Sequence, residues 1–122
     1  MVWKSKNVRI IFKDDAKISY KRLNAIVKDQ KSKNTNKSFE ISLLNSIEQK
    51  ISILKTNPFY GDNISKKIIP EKYDVSNLWR MEITGYWRML YAIEGTDIEI
   101  ICFILDILDH DSYNKIFRYR KR

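Results

Sequence analysis

Apolar and polar positions alternate at the start of the chain, recur at helical spacing through its middle, and alternate again in its second half. Val8-Arg9-Ile10-Ile11-Phe12 reads as a first strand. Asp14 and Asp15 follow, short acidic side chains suited to capping a helix and to the positive end of its dipole. Ala16, Tyr20, Leu23 and Val27 then share one helix face. The polar run 31–37 (KSKNTNK) predicts a loop. Leu44, Ile47, Ile51 and Leu54 form a second stripe, predicting a helix from residue 38 to about 56 that Asn57-Pro58 stops. Two helices joined by a short polar loop make an αα-hairpin.

Between residues 57 and 77 the pattern is irregular, punctuated by Pro58, Gly61 and Pro70, with one short strand expected at 64–69. Three strands follow. The first, 78–83 (LWRMEI), places Trp79, Met81 and Ile83 on one face and Arg80 and Glu82 on the other. After a turn at Thr84-Gly85, Trp87, Met89, Tyr91 and Ile93 form the apolar face of the second, with Arg88 opposite. After a turn at 94–97, residues 98–105 are almost continuously apolar, as suits the centre of a sheet. A short helix is predicted over 109–117, capped by Asp109 or Asp111, with a basic tail at 118–122. Segregated helices and strands predict an α+β fold: an N-terminal strand and helical hairpin packed on an antiparallel β-sheet meander, with a short C-terminal helix.

The 122 residues suit one domain, 1–122, without internal repeat or linker. With 43% hydrophobic and 31% charged residues, the composition excludes wholesale disorder. The lone cysteine, Cys102, lies in the apolar run Ile100-Ile101-Cys102-Phe103-Ile104, so it can form no intrachain disulfide and reads as a buried structural thiol. Met1 to Lys6 lacks the apolar stretch of a secretory leader, and the run 98–108 is short of a span and carries Glu99 and Asp106. A soluble, cytoplasmic protein without a membrane partner is expected. The formal net charge of +8 points to a polyanionic partner: RNA, DNA, ribosome or an acidic protein. Lys66, Lys67 and Lys72 in the irregular segment, and Arg118 and Tyr119 in the tail, read either as phosphate contacts or as solvated surface.

The register of the two arginine-bearing strands decides whether they form a site. If Ile83 opposes Trp87, the apolar residues share one face and Arg80, Glu82 and Arg88 share the other; a tight two-residue turn would split the arginines. The first register keeps the apolar residues together. Each guanidinium can then give two hydrogen bonds to one phosphate, unless Arg80 is engaged by Glu82 or a helix acid. His110 is the only histidine, with Tyr113 one helical turn later. An imidazole there suits proton transfer near neutrality, or a purely structural role. No Cys/His metal spacing, glycine-rich phosphate loop or nucleophile elbow occurs, so neither metal nor cofactor is expected.

The stretch 77–93 (NLWRMEITGYWRMLYAI) resembles the core of the RelE/ParE toxin superfamily: an L-[YW]-R strand, a glycine-containing turn, an aromatic-Arg pair and a strand ending Y-x-I. Asp109-His110-Asp111-Ser112-Tyr113 resembles the family's C-terminal His/Tyr segment. The resemblance implies the toxin of a type II toxin–antitoxin system. RelE-type members cleave mRNA in the ribosomal A site, and ParE-type members inhibit DNA gyrase. On the RelE pattern Arg88 would bind the scissile phosphate, Arg80 would assist, and His110 and Tyr113 would supply proton transfer or base stacking. The implied partners are a cognate acidic antitoxin, with which an oligomer can form, and mRNA on the ribosome. The two arginines stand eight positions apart where many relatives use seven, and no clear catalytic lysine pair precedes Leu78. Tyr113, Phe117 and Tyr119 all remain candidates for the terminal aromatic. The alternatives are a ParE-like gyrase inhibitor and a non-catalytic or decayed interaction module with the same fold.

Overall fold

The computed structural model describes residues 2, 3 and 6–120, with side chains from 6 to 117. Six strands and three α-helices follow in order among the described residues: β1 (Val2–Trp3), β2 (Lys6–Phe12), α1 (Asp14–Ser32), α2 (Phe39–Thr56), β3 (Asp62–Asn63), β4 (Trp79–Ile83), β5 (Trp87–Gly95), β6 (Glu99–Leu108) and α3 (His110–Arg120). Ser38 caps α2: its Oγ accepts from the Ile41 N–H at 3.0 Å and donates to Gln30 Oε1 at 2.6 Å, tying the loop back to α1. The cap expected from Asp14 or Asp15 is absent. Lys13 holds the cap position without a side-chain bond, and both aspartates lie inside the first turn, where their charge still complements the helix dipole.

One sheet runs in the order β1-β2-β6-β5-β4-β3. The meander β4-β5-β6 is antiparallel, and the helical hairpin carries the chain over so that β2 pairs with β6 in parallel, Val8 beside Ile100 and Ile10 beside Cys102. A parallel pair needs such a crossover. A bulge between Leu90 and Tyr91 leaves Leu105 of β6 without an opposite number. Ile100, Cys102, Ile104 and Ile107 therefore face the hairpin, while Asp106 and Leu108 face away.

The hairpin side is the larger core. Leu23 and Val27 of α1 and Leu44, Ile47 and Leu54 of α2 close over Met81, Met89, Tyr91 and Ile104. Burial here pushes the Cys102 thiol up to about 12, which makes it a packing residue. The Tyr91 hydroxyl accepts from the Gly61 N–H and donates to the Pro58 carbonyl, both at 3.0 Å, pinning the chain after α2 to the sheet. Gly61 is needed there: a Cβ would lie 2.7 Å from both the Arg80 carbonyl oxygen and the Tyr91 hydroxyl.

The far side carries a second cluster of Ile64, Ile69, Leu78, Leu90, Tyr113 and Phe117. The strand expected at 64–69 does not form. A 3-10 turn, Lys66–Ile68, follows β3, and Ile64 and Ile69 both plug into this cluster. A spacing of five fits a turn between two anchors and not the two-residue period of a strand. Asp109 Oδ1 accepts from the Ser112 N–H at 2.7 Å, the capping bond predicted for α3, and this bond holds its carboxyl below the usual range. The helix runs on to Arg120, so the first residues of the expected tail are helical.

Candidate functional site

Ile83 pairs with Trp87, Glu82 with Arg88 and Arg80 with Leu90. This is the register that keeps the apolar side chains behind the sheet, and it sets Arg80 and Arg88 together in front of it. Tyr113 of α3 stands between them. The guanidinium carbons lie 5.9 Å (Arg80) and 5.2 Å (Arg88) from the centroid of its ring, within cation–π reach. Arg80 Nη1 also donates to the Tyr113 hydroxyl at 3.0 Å, which leaves that hydroxyl its own proton to give. Tyr113 is buried, packed against Phe117 with ring centroids 4.6 Å apart. It serves as a post that spaces two cations.

Each arginine has one carboxylate beside it. Arg80 Nη2 reaches Asp62 Oδ2 of β3 at 3.2 Å, and Arg88 Nη2 reaches Glu82 Oε1 at 3.5 Å. Glu82 thus engages Arg88, not Arg80. The Tyr113 hydrogen bond is the largest influence raising the Arg80 pKa above its ordinary value; burial opposes it and Asp62 adds to it. The Asp62 and Glu82 side chains are 73% and 69% exposed, and ion pairs of that kind are worth about 0–1 kcal/mol. Arg88 itself is only 12% exposed. The Nε of each arginine is buried without a hydrogen-bond partner, a deficit of about 1–3 kcal/mol for such a donor. The cluster therefore combines two cations with two weakly held carboxylates, an arrangement electrically suited to an anion.

His110 opens α3 and is exposed, its Nε2 lying 3.0 Å from Asn114 Nδ2. With that amide donating, the ring proton of neutral His110 sits on Nδ1. No hydrogen bond joins it to either arginine among the described residues. The link runs through Tyr86, whose ring centroid lies 6.3 Å from that of His110. Arg88 Nη1 donates to the Tyr86 carbonyl oxygen. Tyr86 ends a tight turn in which the Trp87 N–H donates to the Thr84 carbonyl, with φ of 66° at Gly85 and 63° at Tyr86. Two successive positive φ values are the type I′ pattern, favoured by Gly, Asn and Asp. Gly85 fits it, since a Cβ would also lie 2.6 Å from the Phe39 ring. Tyr86 does not, and a side chain in that region costs about 1–2 kcal/mol.

Lys66 and Lys67 are exposed on the 3-10 turn, and no hydrogen bond or ion pair joins them to the arginines among the described residues. Arg118 and Tyr119 occupy the end of α3, and their side chains lie outside the described residues. Among the described residues no group of three His, Cys, Asp or Glu could hold a metal, and no helix is long and apolar enough to cross a membrane.

Among solved structures, this architecture is similar to a YoeB/ParE toxin from Agrobacterium tumefaciens, with a TM-score of 0.54 and 18% identity over 84% of this chain and 98% of that one. The fold is RelE/ParE-like. No family model matches the chain, and no curated protein does.

Sequence reasoning passed over two features of this RelE/ParE-like sheet. Asp106, 5% exposed, is the only buried charged residue among those described; it accepts from the Tyr73 hydroxyl at 2.9 Å and lies 3.5 Å from Lys72 Nζ. An acid set deep in the apolar run of β6, seven residues beyond Glu99 at its start, was its signal. Burial first, and the Asp106 charge second, push the Tyr73 pKa well above the ordinary tyrosine range. Tyr86 is the other, signalled by a bulky residue directly after the turn glycine.

Proposed function

We propose that this protein is the toxin of a type II toxin–antitoxin pair and acts as a ribosome-dependent mRNA endonuclease. The observation that carries the reading is the Arg80–Tyr113–Arg88 post on the front of the sheet. A phosphate would take the place of Glu82 and Asp62 and pair with both guanidinium groups, at small cost because both carboxylates are solvated. In the reaction the ribose 2′-oxygen attacks phosphorus and gives up its proton, and the bond to the 5′-oxygen breaks as that oxygen takes a proton. Arg88 neutralises the charge that builds on the phosphoryl oxygens, and Arg80 assists it and holds Tyr113. The Tyr113 hydroxyl, which accepts from Arg80, gives its proton to the leaving oxygen; His110 Nε2, freed from Asn114, takes the proton from the 2′-hydroxyl. Lys66, Lys67, Arg118 and Tyr119 would contact flanking phosphates and bases. An acidic antitoxin would compete for the same two arginines.

The test is expression of the wild type and of Arg88→Ala. Wild type should arrest growth and produce transcripts cut within translated codons, read by primer extension. Arg88→Ala should do neither while keeping its circular dichroism spectrum. Full toxicity in that variant removes Arg88 from the mechanism. A gyrase-inhibiting toxin is the second reading, favoured by the missing hydrogen bond between His110 and the arginines, since a binder needs no proton relay. Filamentation and DNA damage with intact transcripts would select it.

A further inference from the structure

We propose that Tyr86 is a stacking platform that seats one unpaired base of a single-stranded RNA beside the phosphate held at Arg88. The inference rests on reading the arginine cluster as an RNA phosphate site. Tyr86 is 76% exposed. Its one ring contact among the described residues is His110, inclined at 61°, which does not cover it as a parallel stack would. The backbone at Tyr86 is left-handed, where glycine or asparagine would serve the turn better. The residue therefore strains its turn and buries little area in return, so the fold gives no reason for it.

Its position gives one. The Tyr86 carbonyl accepts from Arg88, and the exposed Tyr86 ring stands beside that of His110, so the residue is tied to the edge of the cationic cluster. Base-on-tyrosine stacking works for any base because each presents a π face, and in single-strand binding sites it accompanies a cationic track for the backbone. A protein partner could also use an exposed tyrosine. The neighbouring Arg80, Arg88 and His110, on a chain of net charge +8, favour a polyanion. Such a platform would fix which nucleotide lies next to the reacting phosphate without reading its identity.

The experiment is fluorescence anisotropy at low salt with two labelled RNA probes, an eight-nucleotide oligouridylate and the same backbone with its central bases removed. Wild type should hold the base-bearing probe about 5- to 150-fold more tightly, the span of one stacked base. Tyr86→Ala should erase that preference and leave the abasic probe unchanged, Tyr86→Trp should restore it, and Arg88→Ala should weaken both probes alike. Tyr86→Gly should lose the preference while its melting temperature holds or rises, the opposite of what a packing role would give. Equal binding of the two probes by wild type, an unaltered preference in Tyr86→Ala, or failure of wild type to hold either probe overturns the inference. The nuclease reading fails separately: if translated messages stay whole while the base preference and its loss in Tyr86→Ala are seen, the platform stands and the cleavage does not.

Discussion

Behind the sheet, Ile47, Leu54, Met89 and Ile104 are fully enclosed by one another and by the hairpin; in front of it, Leu90, Tyr113 and Phe117 share the space with Arg80, Arg88 and Asp106. The rear face needs only volume and apolar area, and its stabilisation is non-directional. The front face keeps charged groups partly out of water and must orient each one. Its small apolar cluster works as a mount: α3 is held down by Tyr113 and Phe117, and the same Tyr113 spaces the arginines. Apolar packing and charge are thus divided between the two sides of the same strands.

Substitutions can test that division. Ile47→Ala, at the rear, should destabilise by about 2–5 kcal/mol, seen as a lower urea midpoint. Arg88→Ala, at the front, should reverse the pattern: a transition-state loss of about 2.7–4 kcal/mol in cleavage with the urea midpoint little changed. Equal stability losses on the two sides would break the comparison. Tyr73→Phe should cost about 1–3 kcal/mol, because it leaves the buried Asp106 with Lys72 alone at 3.5 Å.

Alkali touches both faces at once. Tyr91 behind and Tyr73 in front have pKa values raised chiefly by burial, so the folded chain keeps protons that the unfolded chain releases above about pH 10. Their contribution is intact below that pH and is lost as pH climbs toward the folded values, so thermal melts should fall progressively there. Tyr73→Phe should flatten part of the decline. The smallest effect belongs to Glu82→Gln: stability within about 0.5 kcal/mol, as for an exposed pair, together with tighter RNA binding because Arg88 loses its competitor.

Much of the front face could be read from the chain. The requirement that Trp79, Met81 and Ile83 share a side with Trp87, Met89 and Tyr91 fixes the β4–β5 register, and the arginines follow from it. The parallel pairing of β2 with β6 could not be read, because a long apolar run says that a strand is central without naming its neighbours. The segment 64–69 misled because its isoleucines suggest a strand, while their anchors, Leu78 and Leu90, come from elsewhere in the chain. Pairing choices at the arginines were also hidden: Asp62 reaches Arg80 only because the two-residue β3 lies along the edge of β4.

The junction of β2 with β6 joins partners such as Arg9 and Glu99, 90 positions apart. Helical hairpin and β4–β5 turn are local, but the strand that unites them follows both in the chain. Contacts of such range slow assembly. A growing chain should therefore remain an incomplete sheet, with Tyr113 not yet seated between the arginines, until β6 and α3 are both free to pack.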